Sequence, residues 1–319
     1  MLEALNAKSK AIAFGSINID LVARTSKLPV PGETLMGQSF VTAPGGKGAN
    51  QAVAIARLGI PTQMVGRVGK DSFGQELIYS LQAAGVETEH VLVDETTSSG
   101  VAAIAVDDAG ENQIIIIPGA NGRVDETDVE RLKHLLPGSA ALLLQLEIPM
   151  NAVLLAAQAA KEVGVRVILD PAPARADIPE SLYPLVDILT PNEIEAGQLV
   201  GFAVDGVEAA TVAADVLRQK GVSNAIVKLG AKGVVCATAE ETFFVPAFPV
   251  QAVDTVAAGD AFNGGLAVAL VEGLSVRQAV VWGAAAGALA ATKPGAQTAM
   301  CDRASLNQFL QAKGMRNAQ

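Results

Sequence analysis

The chain has 319 residues, a formal net charge of -10 and an isoelectric point of about 4.8. That length can form one large α/β domain or two ordinary ones, with a sizeable core. The acidic balance argues against a general nucleic-acid-binding surface and against attraction to an anionic membrane.

Two stretches bear on location in the cell. The first 15 residues, "MLEALNAKSKAIAFG", lack the basic start and long apolar core of a signal peptide. The most apolar helical stretch, 279–291, falls short of the roughly 18 apolar residues that a membrane span needs. We therefore expect a soluble, cytoplasmic protein with neither a membrane nor a nucleic acid as partner.

Short apolar runs alternate with helical patterns along the chain. The runs predicted as strands are 11–15, 63–69, 141–147, 165–170, 187–192 and 225–230. Helical patterns between several of them cover 48–59, 72–85 and 150–164. Strands that are apolar on both faces and alternate with helices predict an α/β fold, with a mostly parallel central sheet covered by helices.

Two segments, about 19–44 and 99–118, interrupt this alternation. The first contains two strand-like pieces and the second reads as a hairpin. We predict that they form a small β-sheet inserted into a single α/β domain spanning 1–319. The run from Ile114 to Ile117 does not alternate with polar residues, which predicts that both faces of this strand are buried. One face would cover a ligand and the other a second subunit.

Polar clusters follow three of the predicted strands. "GSINID" (15–20) closes the first, "PGGKGANQ" (44–51) forms a glycine-rich turn into a helix, and Glu147 ends "LLLQLE". Ligands of open α/β sheets bind beyond the carboxyl ends of the strands, and these side chains suit a ligand with many hydroxyl groups. Taken singly, each cluster is explained equally well by turn and cap chemistry.

The glycine-rich turn does not match the common nucleotide-binding motifs. Lys47 is followed by Gly48, whereas a P-loop requires Ser or Thr at that point. No dinucleotide-binding glycine pattern follows the first strand either. A P-loop site and a Rossmann dehydrogenase therefore have little support.

Two later strand ends suit a nucleotide and its metal ion. In "TPNEIEAGQL" (190–199), Asn192 is followed by two acids, and such a corner can hold hydrated Mg²⁺. The glycine-bracketed turn "KLGAKG" (228–233) would let phosphates approach backbone amides. Ordinary turns between strands, and between a strand and a helix, explain both patterns as well.

The stretch "DTVAAGDAFNG" (254–264) places Asp260 where a small-residue turn becomes a helix. The backbone amides of Ala257, Ala258 and Gly259 are predicted to form an anion hole. Asp260 would then accept the proton of a hydroxyl group that attacks a phosphate. The alternative is that Asp260 is only the N-cap of the helix.

Together these motifs resemble the ribokinase-like (PfkB-type) carbohydrate kinases. The resemblance runs nearly end to end, from "GSINID" through "PGETLMG", "GGKGANQA", "LLLQLE", "DPAPAR", "LTPNEIEA" and "DTVAAGDAFNGG" to "KPGAQ". "DPAPAR" and "PGAQ" are closer to the ribose-phosphorylating branch than to fructokinases or adenosine kinases. The resemblance implies ATP-dependent phosphorylation of the 5-hydroxyl of D-ribose, with the inserted sheet as a lid that also forms a homodimer contact.

The resemblance also implies roles for the matching positions. Contacts to the sugar fall to Asn18, Asp20, Gly46, Lys47, Gly48, Asn50 and Glu147, and Asp260 is the catalytic base beside the small residues 257–259. The ATP site comprises Asn192, Lys228, Gly230, Gly233, Gly259 and Ala284. Glu195 supports Mg²⁺ through water, and a K⁺ loop comprises Asp254, Val256, Ala290, Lys293, Gly295 and Ala299.

The potassium hypothesis also has a basis in the residues themselves. A cation between the turn at Asp254 and the turn 292–297 would meet one carboxylate and the carbonyls left free at a helix end. Without the resemblance, a simple cap at Asp254 would be the better interpretation. Ala299 stands where relatives often have Ser in this loop, and Ala284 stands where they often have His or Asn near the adenine.

Two alternatives to this function remain open from the sequence. One is a sibling sugar or nucleoside kinase of the same family, such as a fructokinase. The other is a non-catalytic sugar-binding regulator on the same fold, which we would expect to lack Asp260 or the glycine before it.

Overall fold

The computed structural model describes residues 10–315. The first nine residues, part of the stretch assessed for a signal peptide, lie outside the described range. The strands, in chain order, are β1 (Lys10–Phe14), β2 (Asn18–Arg24), β3 (Ser39–Gly45), β4 (Thr62–Gly69), β5 (Val86–Glu87), β6 (Val91–Asp94), β7 (Gly100–Val106), β8 (Asn112–Ile117), β9 (Ser139–Leu144), β10 (Arg166–Leu169), β11 (Ile188–Leu189), β12 (Asn224–Lys228), β13 (Gly233–Ala237) and β14 (Thr242–Pro246).

The α-helices alternate with these strands along much of the chain. In order they are α1 (Lys47–Arg57), α2 (Ser72–Ala83), α3 (Glu126–Lys133), α4 (Met150–Glu162), α5 (Glu193–Val200), α6 (Val207–Gln219), α7 (Ala258–Val271), α8 (Val276–Ala291) and α9 (Arg303–Ala312). Within the described range, no helix is both long enough and apolar enough to cross a membrane.

The central sheet has the order β14-β13-β12-β11-β10-β9-β1-β4-β5, with β6 beside β4. Its pairs are parallel from β12 through β1 to β5 and β6, and antiparallel only from β12 to β14. Every residue of β4 is buried, as expected for a strand covered on both faces. The predicted mostly parallel α/β fold is confirmed.

Helices cover both faces of this sheet. Apolar residues of α3, α4, α5 and α6 share one buried cluster with the strands, and those of α7, α8 and α9 share another. Helix α7 also lies close to α1, because a Cβ on Gly264 would stand only 2.4 Å from Cβ of Ala54. A glycine at this crossing therefore lets the two helices pack closely.

The strand predictions near the site extend beyond the carboxyl ends of the observed strands, most of all at two of them. The predicted strand 141–147 ends at Leu144, so Glu147 lies in the following loop. The predicted strand 187–192 is reduced to the two residues of β11. In both places the backbone leaves the sheet early and forms loop or cap contacts, which an apolar run in the sequence does not reveal.

The predicted inserted sheet is present, with the order β3-β2-β7-β8. Its edge strand β8 carries the four consecutive isoleucines, whose exposed fractions are 52%, 67%, 46% and 42% from Ile114 to Ile117. The prediction that both faces of this strand are buried is therefore wrong for the single chain. β8 is an edge strand of this inserted sheet, and no other part of the described chain covers its isoleucines.

Candidate active site

The candidate site begins where neighbouring parallel strands end in register. Phe14 of β1 pairs with Leu144 of β9, and Leu144 pairs with Leu169 of β10. The residues that follow these positions consequently leave the sheet at one edge. They include Ser16, Gln145, Glu147 and Asp170, and this edge is where open α/β sheets bind their ligands.

The glycine-rich turn packs directly against the end of β1. Gly46 is the N-cap of α1 with φ of 88°, and a Cβ on it would stand 2.7 Å from the backbone nitrogen of Asn18. A Cβ on Gly48 would stand 2.7 Å from the backbone nitrogen of Ser16. Only glycine permits this conformation and this approach, so Lys47 and Asn50 are held over the strand end.

Glu147 ties the loop after β9 to this turn. Its Oε2 accepts hydrogen bonds from Oγ of Ser16 at 2.5 Å and from the backbone amide of Lys47 at 3.2 Å. Two predicted sugar-contacting residues, Lys47 at the start of α1 and Glu147 after β9, thus lie together, although they are 100 positions apart.

Asp20 lies in this cluster on β2. A Cβ on Gly45 of the neighbouring strand would stand 2.3 to 2.6 Å from its carboxylate atoms, so glycine provides the space that the carboxylate occupies. Burial raises the pKa of Asp20 to about 7, with smaller contributions from the charges of Glu147 and Asp260.

Asp260 is 4% exposed, and both of its carboxylate oxygens accept side-chain amides. Nδ2 of Asn50 donates to Oδ2 and Nε2 of Gln51 donates to Oδ1, each at 3.0 Å. Burial raises the pKa of Asp260 to about 6. The charge of Asp170 adds to this rise, whereas Lys47 and the two amide donors oppose it.

The N-cap interpretation of Asp260 is wrong. The N-cap of α7 is Ala257, with φ of 56° in the left-handed region, and Asp260 is the third residue of the helix. Its side chain turns toward α1 rather than toward its own helix end. The anion-hole prediction is modified at one position, because the amide of Ala258 donates to the carbonyl of Thr255 at 3.2 Å.

A buried polar network that the sequence analysis missed supports Asp260. Nε2 of Gln51 also donates to Oδ2 of Asp170 at 3.1 Å, and Nε2 of Gln145 donates to Oε1 of Gln51 at 2.7 Å. Nζ of Lys228 donates to the other oxygen of Asp170 at 3.1 Å. Their positions in the sequence could have indicated this role. Gln51 is next to Asn50, and Asp170 is the first residue of "DPAPAR" at the end of a strand.

Two lysines bring positive charge to this group of acids. Burial opposes protonation of Lys47, but the charges of Asp260, Asp170, Glu147 and Glu195 raise its pKa above the ordinary range. Nζ of Lys228 lies beside the start of α7, where a Cβ on Gly259 would stand 3.4 Å from it. Lys228 is therefore the cationic group beside the helix start, and the charge of Lys47 is close enough to interact with Asp260.

The predicted nucleotide region lies at the next strand ends. Asn192 N-caps α5 and forms a capping box with Glu195, whose carboxylate accepts the backbone amide of Asn192 at 2.7 Å and its Nδ2 at 3.0 Å. Burial raises the pKa of Glu195, and the nearby charge of Asp170 raises it further. The capping box thus accounts for the hydrogen bonds of the Asn192 side chain in this structure.

The turn after β12 is bracketed by two glycines with positive φ. Gly230 has φ of 53° and Gly233 has φ of 130°, and a Cβ on Gly233 would stand 2.3 Å from the carbonyl of Val245. Gly233 is therefore required by the packing of β13 on β14. Ala284 lies on α8, partly buried against the apolar cluster of α7 to α9.

The two turns of the predicted K⁺ loop are joined by Asp254. Its Oδ1 accepts the backbone amide of Val256 at 3.0 Å, and its Oδ2 accepts that of Gly295 at 2.9 Å. Ala299 is buried in the short 3₁₀ turn that follows.

The helix-end carbonyls are not free, contrary to our prediction. The carbonyl of Ala290 accepts the amide of Lys293 at 3.1 Å, and the carbonyl of Ala291 accepts the amides of Val253 and Asp254. The carbonyl of Ala291 therefore already accepts two hydrogen bonds, whereas that of Ala290 keeps a second lone pair for a cation.

Comparison with known proteins places this geometry in a class. Residues 8–303 match the model of the pfkB family carbohydrate kinases. The chain is 42% identical to a ribokinase of Haemophilus influenzae, over 93% of this chain and 97% of that protein. It is 38% identical to a deoxyribokinase of Salmonella typhi, again over 93% and 97%.

Solved structures agree with these sequence matches. The structure of Arabidopsis thaliana ribokinase complexed with ribose and ATP has a TM-score of 0.87, 35% identity and coverage of 95% of this chain and 99% of that one. The chain belongs to the pfkB family of carbohydrate kinases.

Proposed function

We propose that the protein is a ribokinase, transferring the γ-phosphoryl group of ATP to the 5-hydroxyl of D-ribose. Family membership, and the similarity to ribokinases over nearly the whole chain, support this assignment. The observation that carries it is the setting of Asp260, a buried carboxylate held by Asn50 and Gln51 in the first turn of a helix.

Asp260 is the general base of this reaction. Phosphoryl transfer needs mainly positioning and charge stabilisation, together with one group that accepts the proton of the attacking hydroxyl. A base works best when its pKa lies near the working pH, and burial brings the pKa of Asp260 to about 6. The proton passes from the sugar hydroxyl to the carboxylate as the oxygen attacks the γ-phosphorus, and the bond from this phosphorus to the bridging oxygen breaks to release ADP.

The sugar lies between this carboxylate and the cluster of Asn18, Asp20, Lys47 and Glu147. Oδ1 of Asn50 supports the placement, because it is buried and has no hydrogen-bond partner in the described part of the chain. A buried acceptor without a partner is costly, and a sugar hydroxyl would satisfy it. Carboxylates and amides of this kind suit a small ligand with several hydroxyl groups.

The phosphates lie at the start of α7. The first amides of a helix have no intrahelical partner and bind anions, aided by the helix dipole. Ala257 and Gly259 supply such amides, and the ammonium of Lys228 adds charge beside them. The turn Gly230–Lys232 and the region of Asn192 and Ala284 complete the ATP site, as the family resemblance implies.

Magnesium accompanies the ATP. The described residues contain no cluster of three or more His, Cys, Asp or Glu side chains suited to a metal, which fits Mg²⁺ held mainly by phosphates and water with one or two carboxylates. Glu195 and Asp170 are the candidates, since the charge of Asp170 lies close enough to raise the pKa of Glu195. The ion would supply charge neutralisation for the phosphates.

Potassium binds at the turns joined by Asp254. The carboxylate and the carbonyls of Val256, Ala290, Lys293, Gly295 and Ala299 offer the oxygen ligands that a hard cation prefers. The fit is partial, because Asp254 already accepts two amides and the helix-end carbonyls already accept backbone hydrogen bonds. The ion would stiffen the backbone that leads to the start of α7.

A homodimer forms through the lid. Exposed large apolar side chains on β8 and β3, including Ile115 at 67% and Phe40 at 62%, support this proposal. Exposed apolar side chains of this kind are typical of an interaction site, and a two-fold contact would cover the same strands in both subunits.

A coupled ADP-release assay tests the substrate across D-ribose, 2-deoxy-D-ribose, D-fructose, adenosine and fructose 6-phosphate. We expect D-ribose to have the highest kcat/KM, because a site built to bond a hydroxyl group strongly rejects an analogue that lacks it. The similarity to a deoxyribokinase makes 2-deoxy-D-ribose the specific competitor. If another of these compounds has a higher kcat/KM, that compound and not ribose is the assigned substrate. The absence of turnover would favour a sugar-binding regulator.

A further inference from the structure

Asn121 is a buried polar residue outside the predicted site, at the point where the lid returns to the body. It lies in the 3₁₀ turn Gly119–Arg123, which follows β8 directly, and it is 1% exposed. Its side chain reaches the start of β2, where Asn18 begins the first strand of the lid.

The orientation of the Asn121 side-chain amide is determined by backbone groups. Its Oδ1 accepts the backbone amide of Ile17 at 2.9 Å, and its Nδ2 donates to the backbone carbonyl of Ile17 at 3.1 Å. A backbone N–H can only donate and a backbone C=O can only accept. The usual ambiguity between the oxygen and nitrogen of an Asn side chain is therefore resolved for Asn121.

This orientation determines that of Asn18 in turn. Nδ2 of Asn121 also donates to Oδ1 of Asn18 at 2.7 Å. A donor requires an acceptor opposite it, so the oxygen of Asn18 has to face Asn121 and its nitrogen has to face away. Gly100 provides the space for the contact, because a Cβ there would stand 2.2 Å from both Nδ2 of Asn121 and Oδ1 of Asn18.

We propose that Asn121 is a positioning residue that presents Asn18 to the sugar as a hydrogen-bond donor. The proposal deepens the proposed function and rests on it, because it assigns the polarity of one sugar contact. Asn18 donates through Nδ2 to a hydroxyl oxygen, whereas the neighbouring carboxylates of Asp20 and Glu147 accept hydroxyl protons. Asn18 begins β2, Gly100 begins β7 and Asn121 follows β8, so all three residues lie at the base of the lid. The base of the lid thus determines that Asn18 acts as a donor toward the sugar.

The test is the substitution Asn121→Asp, which keeps nearly the same side-chain shape. In its ionised form, which is favoured toward high pH, the introduced carboxyl group still accepts the amide of Ile17 but no longer donates. The Asn18 side chain then turns its Nδ2 toward this carboxylate and presents its oxygen to the sugar. We expect KM for the sugar to rise about 10-fold or more, a change typical of losing one hydrogen bond in a buried site, with kcat and the KM for ATP within about 3-fold of wild type.

Two controls separate positioning from a general structural effect. Asn151→Asp makes the same chemical change on the exposed start of α4 and should leave both KM values unchanged. In an Asn18→Ala background, Asn121→Asp should cause no further rise in the sugar KM, because the group that it reorients is gone. Should N121D fail to fold, Asn121→Ala is examined by the same cycle with Asn18→Ala.

Deoxyfluoro sugars give a readout of polarity. Fluorine accepts a hydrogen bond weakly and cannot donate one, so at the hydroxyl contacted by Asn18 the wild type should bind the fluoro analogue better than the deoxy analogue. N121D should lose this preference. All kinetics use the sugar of highest kcat/KM for the wild type, so the inference is tested even where ribose is not that sugar.

The outcomes are distinct from those of the substrate assignment. Wild-type turnover with an unchanged sugar KM in N121D overturns this inference and leaves the proposed function intact. An equal rise in KM with and without Asn18 also overturns it. No turnover of any sugar overturns both.

Discussion

The side-chain amide of Asn50 donates a hydrogen bond to Oδ2 of Asp260 at 3.0 Å, joining two residues 210 positions apart. The contact forms because α1 and α7 cross closely at Gly264 and Ala54. It connects the glycine-rich turn, which lies over the sugar cluster, to the helix start that we propose for the phosphates. The packing of α1 against α7 therefore sets the position of the proposed sugar site relative to the base Asp260 and the proposed phosphate site.

Replacing Asp260 with Asn should remove the base while keeping nearly the same size. We expect kcat to fall by about 10²- to 10⁴-fold, the usual range for loss of a general base, with ribose affinity by calorimetry nearly retained. Asp302→Asn is the matched control, because Asp302 does cap a helix, accepting the amide of Ser305 at 2.8 Å. Near-normal turnover of Asp260→Asn would contradict the assigned role.

The pH dependence of kcat/KM should follow two carboxylates of the free enzyme. Burial raises the pKa of Asp20 to about 7 and that of Asp260 to about 6. Both groups act as ionised acceptors, so kcat/KM for ribose should be full above about pH 7 and fall as pH decreases through 7 and 6. A profile that stays flat down to pH 5 would contradict this.

Gln51→Met should move the acid limb of the kcat/KM profile to higher pH. The substitution removes an amide donor from the ionised form of Asp260, and losing such a donor raises the pKa of a carboxylic acid. A hydrogen bond to a charged group corresponds to a displacement of about one pH unit. Gln75→Met, on the exposed face of α2, is the control. An unshifted profile in Gln51→Met would show that the hydrogen bond from Gln51 does not lower the pKa of Asp260.

Potassium should increase kcat for ribose relative to sodium at equal ionic strength, because an ion at the joined turns preorganises the backbone before α7. The response should be lost in Asp254→Ala. Asp254→Asn tests the charge alone, since it keeps an acceptor for one of the amides of Val256 and Gly295. Equal wild-type rates in both salts would rule out activation, and a response surviving in Asp254→Ala would place the ion elsewhere.

The lid should form a dimer that charged residues on one face disrupt. Asp20 of β2 pairs with Ala102 of β7, which pairs with Ile116 of β8, so Ile114 and Ile116 share the sugar-facing side. Ile115 and Ile117 lie on the opposite side. We expect Ile115→Lys with Ile117→Lys to give monomers by light scattering, with weaker ribose binding.

Ile114→Lys with Ile116→Lys is the matched comparison for the lid. It should weaken ribose binding but leave the dimer intact. A wild-type monomer at micromolar concentration would rule out the proposal. Monomers formed only by the Ile114 and Ile116 pair would assign the contact to the other face.

Several features of the fold and site follow from the sequence because they are local. The apolar runs predict β1, β4, β9 and β10, since a strand buried on both faces has no polar alternation. The polar residues after those runs predict the site, because parallel strands end at one edge of a sheet. Gly46 can be interpreted from the sequence for the same reason, because its backbone conformation and close approach limit the residue type at the position itself.

The contacts of these residues were decided only by the tertiary structure. Asp260 matched an N-cap pattern, but its carboxylate faces Asn50 and Gln51 because α7 packs against α1. The hydrogen bonds from Gln51 to Asp170 and from Asn121 to Asn18 join residues 119 and 103 positions apart. Hydrogen bonds of this kind depend on the packing of whole elements within a few tenths of an ångström, and a one-dimensional pattern carries no such distance. For the same reason four consecutive isoleucines predict burial but cannot say whether their own chain or a second one provides it.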